Sequence, residues 1–386
     1  MRNKLRLCAA TLLLAGAGSL AAQDIPLPTG SVYFNLPKDS PVALLSMVSD
    51  QSRATARGAA LVLDLHMAVT LRNSSANRIR GITLRVVSQE VALGGKGSVT
   101  IPSLNIGPGQ VFPVRIDMQL MRPGSMGVQA AAGPLVQVDL DGVLFQDLSF
   151  FGPNRLHSRR YLTACEMEAR RDREYFKRVL AQSGRKGLQD AMLESLARQA
   201  SLPPLTVKVW RGGPAVSTAA VAPEHTAKFA FLQVPDSPVV PIQGWAEIAG
   251  NEARAPRIEV RNTSTRPVKY VELGWVVSDS AGRQYMAASV PSADPELYLP
   301  PGKTARILQE TALNFSSLGR PVNVKQMTGF VKEVEFADGR MWVPSRQSIA
   351  NPLLEKVLAP SAEEQRLSDI YRRKGIEALI SELKNY

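Results

Sequence analysis

The sequence predicts a mostly β protein with α appendages, in which two antiparallel β-sandwiches are each followed by a helical segment. Three observations carry that expectation. Apolar residues alternate at period two in several short runs, the period twice changes to a helical one, and five blocks of residues recur in the same order along the chain. The resulting divisions are a signal peptide at 1–22, a first sandwich over 31–155, a helical segment over 156–199, a linker over 200–227, a second sandwich over 228–346 and a second helical segment over 347–386.

The first segment has three zones: Arg2, Lys4 and Arg6, then an apolar or small run from Leu7 to Gly18, then Ser19-Leu20-Ala21-Ala22-Gln23. Small residues at the end of such a run fit a signal peptidase, so cleavage is expected after Ala21 or Ala22. The run falls short of the roughly 18–20 residues that span a bilayer. The expected location is extracytoplasmic, periplasmic or secreted, with no transmembrane span after cleavage. Cys8 opens the apolar run rather than closing it, which argues against lipid attachment, and its loss leaves Cys165 alone with no intrachain disulfide. Packing alone must then hold the fold, and a chain of this length buries enough surface to do so in two or more domains. The formal charge is +12, and three positive charges leave with the leader, so about +9 remains. That balance suits an anionic envelope surface, and an exported chain makes nucleic acid a poor partner.

In the first sandwich, Leu61, Leu63, Leu65, Met67, Val69 and Leu71 alternate with Val62, Asp64, His66, Ala68, Thr70 and Arg72, the pattern of a half-buried strand. Asn73-Ser74-Ser75 ends it with turn formers, and Ile79, Ile82, Leu84 and Val86 begin the next strand. The second sandwich does the same with Ile258 and Val260, a turn at Asn262, then Val268, Val271, Leu273 and Trp275. Asp279-Ser280-Ala281-Gly282 reads as a hairpin, and Asp338-Gly339 as a type I′ turn between Phe336 and Met341. Helical spacing then takes over at Leu162, Cys165, Met167, Tyr175, Phe176, Val179 and Leu180, and again at Leu367, Ile370, Tyr371, Ile376, Leu379, Ile380 and Leu383. Asn351-Pro352 and Ser361 with Glu364 read as helix starts, and Gly212-Gly213-Pro214 as a linker.

The recurring blocks are Pro37–Val42 with Val234–Val239, Leu71–Ser75 with Val260–Ser264, Pro102–Gly109 with Pro295–Gly302, Phe145–Arg155 with Phe336–Arg346, and Arg185–Leu188 with Arg373–Ile376. Their offsets are 197, 189, 193, 191 and 188 positions. Small shifts in a shared register indicate duplication of a whole unit, and the period is too long for a solenoid. The fourth block pairs Phe151 with Trp342, which packing arguments make core anchors where each sandwich meets its tail.

In the second unit, Arg261-Asn262-Thr263-Ser264, a strand, Asp279 with Gly282, and then Leu299-Pro300-Pro301-Gly302 leading into a strand follow one another. That order resembles the bacterial extracytoplasmic immunoglobulin-like domains of the FxLYD and cell-adhesion-related types, over about 80 residues per unit. The first unit departs from it where Gly94-Gly95-Lys96-Gly97 replaces the Asp–Gly hairpin. The resemblance implies an Ig-like sandwich used for binding or spacing, and it implies no catalytic residues.

Chemistry-bearing patterns are sparse. His66, His157 and His225 form no metal-spaced pair, so neither a metal nor another cofactor is expected. Gly302-Lys303-Thr304 lacks the upstream glycine of a phosphate loop, and Ser183-Gly184-Arg185-Lys186 fits S-x-x-K without its partner motifs, so it reads as a helix break. The sequons at Asn73, Asn262 and Asn314 read as turn residues. A basic helical stretch stands out. Arg170, Arg171, Arg173, Lys177 and Arg178 are the candidates for contact with an anionic surface, against interleaved Glu166, Glu168, Asp172 and Glu174 that favour pairing within the helix. The expected function is that of an exported, non-enzymatic binding or scaffolding protein of the cell envelope, with another envelope protein or an anionic polymer as partner. The alternative is a peripheral binder acting through its basic helices. A hydrolase would require a cleft with perturbed carboxylates.

Overall fold

The computed structural model describes residues 24–27, 30–91, 94–123, 134–211, 224–291, 297–308 and 311–386; the expected signal peptide and Gly212-Gly213-Pro214 lie outside them. The first half contributes β1 (Asp24–Pro26), β2 (Val32–Asn35), β3 (Val42–Val48), β4 (Arg53–Arg57), β5 (Ala60–Asn73), β6 (Ile79–Val87), β7 (Lys96–Ile101), β8 (Val111–Pro123), β9 (Val136–Phe145), β10 (Phe150–Phe151) and helix α1 (Ser158–Ser201). The second contributes β11 (Thr206–Arg211), β12 (His225–Lys228), β13 (Ala230–Phe231), β14 (Val239–Ala249), β15 (Glu252–Asn262), β16 (Val268–Asp279), β17 (Gln284–Pro291), β18 (Thr304–Leu308), β19 (Thr311–Ser317), β20 (Arg320–Pro321), β21 (Val324–Phe336), β22 (Met341–Trp342) and helices α2 (Arg346–Ile349), α3 (Pro352–Glu355) and α4 (Ala362–Lys384). The protein is mostly β, and its described residues form four sheets with appended helices.

One sheet runs β1-β4-β5-β3 with β8 on β5, and the next runs β10-β9-β6-β7 with β2 on β9. In the second half, β11-β19-β15-β14-β12 forms one sheet, with β18 on β15 and β20 on β19, and β13-β21-β16-β17 forms the other, with β22 on β21. The segment 200–227, read as a linker, thus supplies β11, which pairs with β19 from Thr206↔Ser316 to Arg211↔Thr311. Its Thr-Val-Lys-Val alternation is strand-like, but an edge partner was needed to reveal it.

Alternation along β5 places Leu63, Leu65, Met67, Val69 and Leu71 inside and leaves His66 and Arg72 exposed. In the second half Val239, Ile248, Ile258 and Val260 from one sheet and Val271, Leu273, Trp275 and Val334 from the other share a single apolar cluster. Phe229 meets Trp275 edge to face at 4.7 Å. Phe151 and Trp342 are both half-buried, and Trp342 packs against that cluster and against a second one around Val276, Phe330, Leu354 and Val357.

The strand junctions of the two halves make the same hydrogen bonds. Asn73 N–H donates to Gln110 O and accepts from Gly109 N–H at its carbonyl; Asn262 does the same with Lys303 and Gly302. Ser40 and Ser237 donate their hydroxyls to the carbonyls of Val42 and Val239. Isolated bridges join Ile79 to Ile106 and Val268 to Leu299. Among the described residues each half has one parallel strand pair, β2 with β9 and β13 with β21. Asn73 and Asn262 are fully buried, so these sequon residues serve the backbone.

Two details depart from expectation. Gly339, at φ 80°, is the residue of its turn with positive φ, and Phe336 N–H donates to Arg340 O; this is a three-residue loop rather than type I′. The helices break at Gly184 (φ 65°, ψ −162°) and Gly375 (φ 82°, ψ −178°), backbone that a side chain would strain. These two glycines are 191 positions apart, so the tails align at the offset of the preceding block, not at the 188 read from Arg185 and Arg373. The burial of Leu188 and Met192 against that of Leu379 and Leu383 follows the same 191. Each break turns one helix into two arms, and the arms share an apolar core of Phe176, Leu188, Met192, Leu367, Leu379, Ile380 and Leu383. No helix among the described residues is long and apolar enough to cross a membrane.

The chain divides into two compact units. One holds Met1–Ser74, Leu84–Val99 and Gly109–Leu140; the other holds Ser75–Thr83, Thr100–Pro108 and Asp141–Tyr386. The features below belong to the second unit.

Candidate functional site

Among the buried residues along the first arm of α1, Leu162, Glu166, Ala169, Arg173 and Phe176 form a stripe spaced four, three, four and three. Two of its five positions are charged. Burial of a charge is costly unless it is paired, so partners must converge from elsewhere. They come from β6, from the residue after β9, and from α4.

Glu166, 1% exposed, is the centre. Its Oε1 accepts from Arg173 Nη2 at 2.7 Å and from Arg170 Nε at 3.1 Å, and Arg80 Nε lies 3.7 Å away. Arg80 projects from β6 and is 3% exposed; its Nη1 donates to Asn105 Oδ1 at 2.9 Å, while its Nε makes no hydrogen bond. Tyr386 lies against three guanidiniums, those of Arg173, Arg80 and Arg366, at 4.3, 4.5 and 5.5 Å from its ring centre. Its hydroxyl accepts from Arg366 Nη2 at 2.7 Å, and its carbonyl accepts from Lys177 Nζ at 3.4 Å. Burial, then the nearby Glu363 carboxylate, pushes the Tyr386 phenol up to about 12. Arg80, Gln146, Glu166, Arg170, Arg173, Glu174, Lys177 and Tyr386 enclose a cleft of about 280 Å³. Burial draws the Arg80 guanidinium below its ordinary range despite the attraction of Glu166.

Behind the cleft the charges form shared ion pairs. Arg173 Nη1 approaches Glu363 at 3.3 Å, and Arg366 grips both oxygens of Glu363 at 2.9 Å each and reaches Glu382 at 2.7 Å. A second knot joins Asp172 to Arg171 at 2.9 Å and to Arg346 at 3.2 Å, and Arg346 to Glu364 at 2.7 Å; Arg198 also bonds Glu364. These forked pairs hold the first arm of α1 to α4.

The opposite face of the same arm meets β16 and β21. There Glu272 and Glu333 are direct cross-strand partners, and Lys332 donates to Glu272 at 3.2 Å. Burial and then the neighbouring Glu272 charge push Glu333 well above the ordinary carboxylate range, and burial raises Glu168 on α1. Arg160 stacks on Tyr270 at 3.8 Å and bonds Glu335. Burial drives the Cys165 thiol to about 12. These perturbed groups fill a helix–sheet contact and lie apart from the cleft.

Of the sequence-nominated cations, Arg170, Arg173 and Lys177 gather in the cleft. Arg171 turns to Asp172 and to the Pro344 carbonyl, and Arg178 is exposed. Arg80, Glu166, Gln146 and Tyr386 were not nominated. Charged residues within the buried heptad stripe were the available signal for Glu166, but Arg80 sits in an apolar-alternating strand and only its partners mark it.

No family model matches the chain, and no curated protein matches it. Among solved structures, a Bordetella pertussis protein assigned as ApaA aligns at 15% identity over 37% of this chain and 91% of that one, with a TM-score of 0.17. A red sea bream transglutaminase aligns at 9% identity over 76% and 31%, with a TM-score of 0.11, and a Kluyveromyces marxianus β-glucosidase at 10% over 71% and 45%, with a TM-score of 0.13. At these scores none of the three assigns a fold or a function to this chain.

Proposed function

We propose that the chain is an exported, non-catalytic binding and scaffolding protein of a cell envelope, built from a duplicated Ig-like unit whose helical tails lock onto one another. The observation that carries this reading is the use made of the basic helix. Arg170, Arg171 and Arg173 are committed to Glu166, Asp172 and Glu363 of the protein's own helices. A helix whose cations are held this way is an internal strut, whereas a lipid-binding helix keeps them on one solvent face. The recurring Asn73 and Asn262 junctions support duplication, the resemblance of the second unit supports the Ig-like reading, and the three-zone leader supports export.

The experiment is fractionation of a bacterial host expressing the full chain, with cross-linking and sedimentation against anionic vesicles. The scaffold reading expects a leaderless species in the envelope fraction, cross-linked to a protein, and no vesicle binding at physiological salt. Cytoplasmic retention of the uncleaved chain would overturn export. Sedimentation with vesicles that salt abolishes would establish the peripheral-helix alternative instead.

A further inference from the structure

Three guanidiniums, those of Arg80, Arg170 and Arg173, converge on one buried carboxylate oxygen of Glu166, whose other oxygen has no hydrogen-bond partner. Lys177 adds an ammonium on the same wall, and Glu174, the other acidic residue lining the cleft, is exposed. Arg173 also shares the buried Glu363 with Arg366, yet guanidinium donors remain unused where the cleft is most desolvated, at Arg80 Nε and Arg173 Nη1. Arg80 shows it most clearly: it is almost fully buried, its nearest carboxylate is 3.7 Å off, and its Nε is unbonded. A buried guanidinium whose ion pair is long and whose Nε is unbonded is costly, so an anion that completes the pairing recovers energy already spent in folding. Guanidinium forks match the oxygens of carboxylate and phosphate alike. The four lining cations face Glu166, the exposed Glu174 and a Glu363 that Arg173 shares with Arg366, and Arg80 Nε and Arg173 Nη1 keep unused donors, which favours a phosphate with three acceptor oxygens over a carboxylate with two.

We propose that the cleft between Arg80, Arg170, Arg173 and Lys177 binds a phosphate monoester group, with Tyr386 forming a wall and Glu166 holding the guanidiniums in place. This deepens the binding half of the proposed function. The ligand is either free phosphate, a soluble phosphorylated molecule or a lipid bearing a terminal phosphate, all sharing the same dianionic head.

The test is thermal unfolding of the full mature chain titrated with inorganic phosphate, with glycerol 3-phosphate, and with vesicles carrying phosphatidic acid, against acetate and chloride at matched ionic strength. A saturable rise in Tm with phosphate or its monoesters, absent with acetate and chloride, is the expected result. The three arms show whether free, soluble or lipid-borne phosphate binds most tightly. Arg80→Gln removes a buried ion and risks the fold, so the decisive variant is Arg170→Gln with Lys177→Gln, both half-exposed. It is expected to lower the Tm in chloride by loss of the Arg170–Glu166 pair and, measured against its own chloride baseline, to weaken phosphate binding about tenfold or more. Equal shifts with acetate and phosphate, or unchanged phosphate affinity in the double variant, would overturn the proposal. Envelope fractionation and cross-linking are unaffected by that result, so the scaffold reading and the phosphate site fail separately.

Discussion

The first arm of α1 touches two sheets whose junctions carry the same backbone hydrogen bonds, and it meets them through opposite chemistry. Against β6 and β9 the contact is close and built on glycine. A Cβ at Gly81 would lie 2.6 Å from the Leu162 side chain, and one at Gly142 would lie 3.0 Å from the Ser158 hydroxyl. Asp141, nearly fully buried, accepts from Arg155 N–H and from the Ser158 hydroxyl at 2.8 and 2.7 Å, fixing the start of the helix. At the offset of 191, Asp141 and Gly142 correspond to Lys332 and Glu333 on β21. There the contact is wide and ionic: Glu168, Glu272, Glu333 and Lys332 fill the space that glycine closes on the other side. Recurring backbone bonds thus preserve a sheet, while the residues facing the helix decide whether that helix packs by contact or by charge.

The largest expected effect is on the close face. Gly152, at φ 123°, has the Asp141 carbonyl oxygen 2.5 Å from where a Cβ would stand. That neighbour is backbone and cannot move aside, so Gly152→Ala should cost ~3 kcal/mol in chemical denaturation. Its counterpart, Val343, already carries a side chain, and Val343→Ala should cost well under half as much. If the two losses were alike, the close face would have no special geometry.

The junctions should respond equally. Asn262 donates to the Arg266 and Leu299 carbonyls and accepts from Ser264, so Asn262→Ala should cost ~2 kcal/mol, and Asn73→Ala a matching amount. A large inequality in denaturation midpoints would mean that the halves share hydrogen bonds but not energetics.

On the ionic face, Lys332→Met should cost ~2 kcal/mol near neutral pH by leaving its carboxylates without a cation. Lowering the pH should recover that loss as Glu333 and Glu168 take up protons. Both carboxyls hold protons more tightly folded than unfolded, so their contribution is complete below the ordinary carboxylate pKa and fades as pH rises through the raised folded values. Glu333→Gln should therefore raise stability near neutral pH by ~1 kcal/mol and flatten the pH profile of unfolding above about pH 5. A variant profile as steep as wild type would assign the titration to another group. The smallest effect concerns Cys165, whose thiol stays protonated at neutral pH. Thiol reagents should label it slowly in the native protein and quickly in denaturant.

Much of the architecture was legible because it rests on local rules. Alternation from Leu61 to Leu71 gave β5 its inner face, Asn-Ser and Pro-Gly pairs marked the turns, and Ser361 with Glu364 marked the start of α4, where Ser361 Oγ does accept from Glu364 N–H. The strand β11 was not legible, because six residues of modest β propensity become a strand only beside the free edge of β19.

The candidate site divides in the same way. Sequence alone determined that the α1 arm is basic and amphipathic, since charge and periodicity are properties of neighbouring residues. It could not determine which cations are satisfied. Arg170 and Arg178 are alike in sequence, yet one lines a cleft and the other is exposed. Arg80 lies some ninety positions from the helix it faces, and nothing local distinguishes it from other strand arginines. Its burial, its distant carboxylate and its unbonded Nε arise only where β6, α1 and the end of α4 converge, because desolvation and ion pairing depend on what surrounds a charge in space, not on what precedes it in the chain.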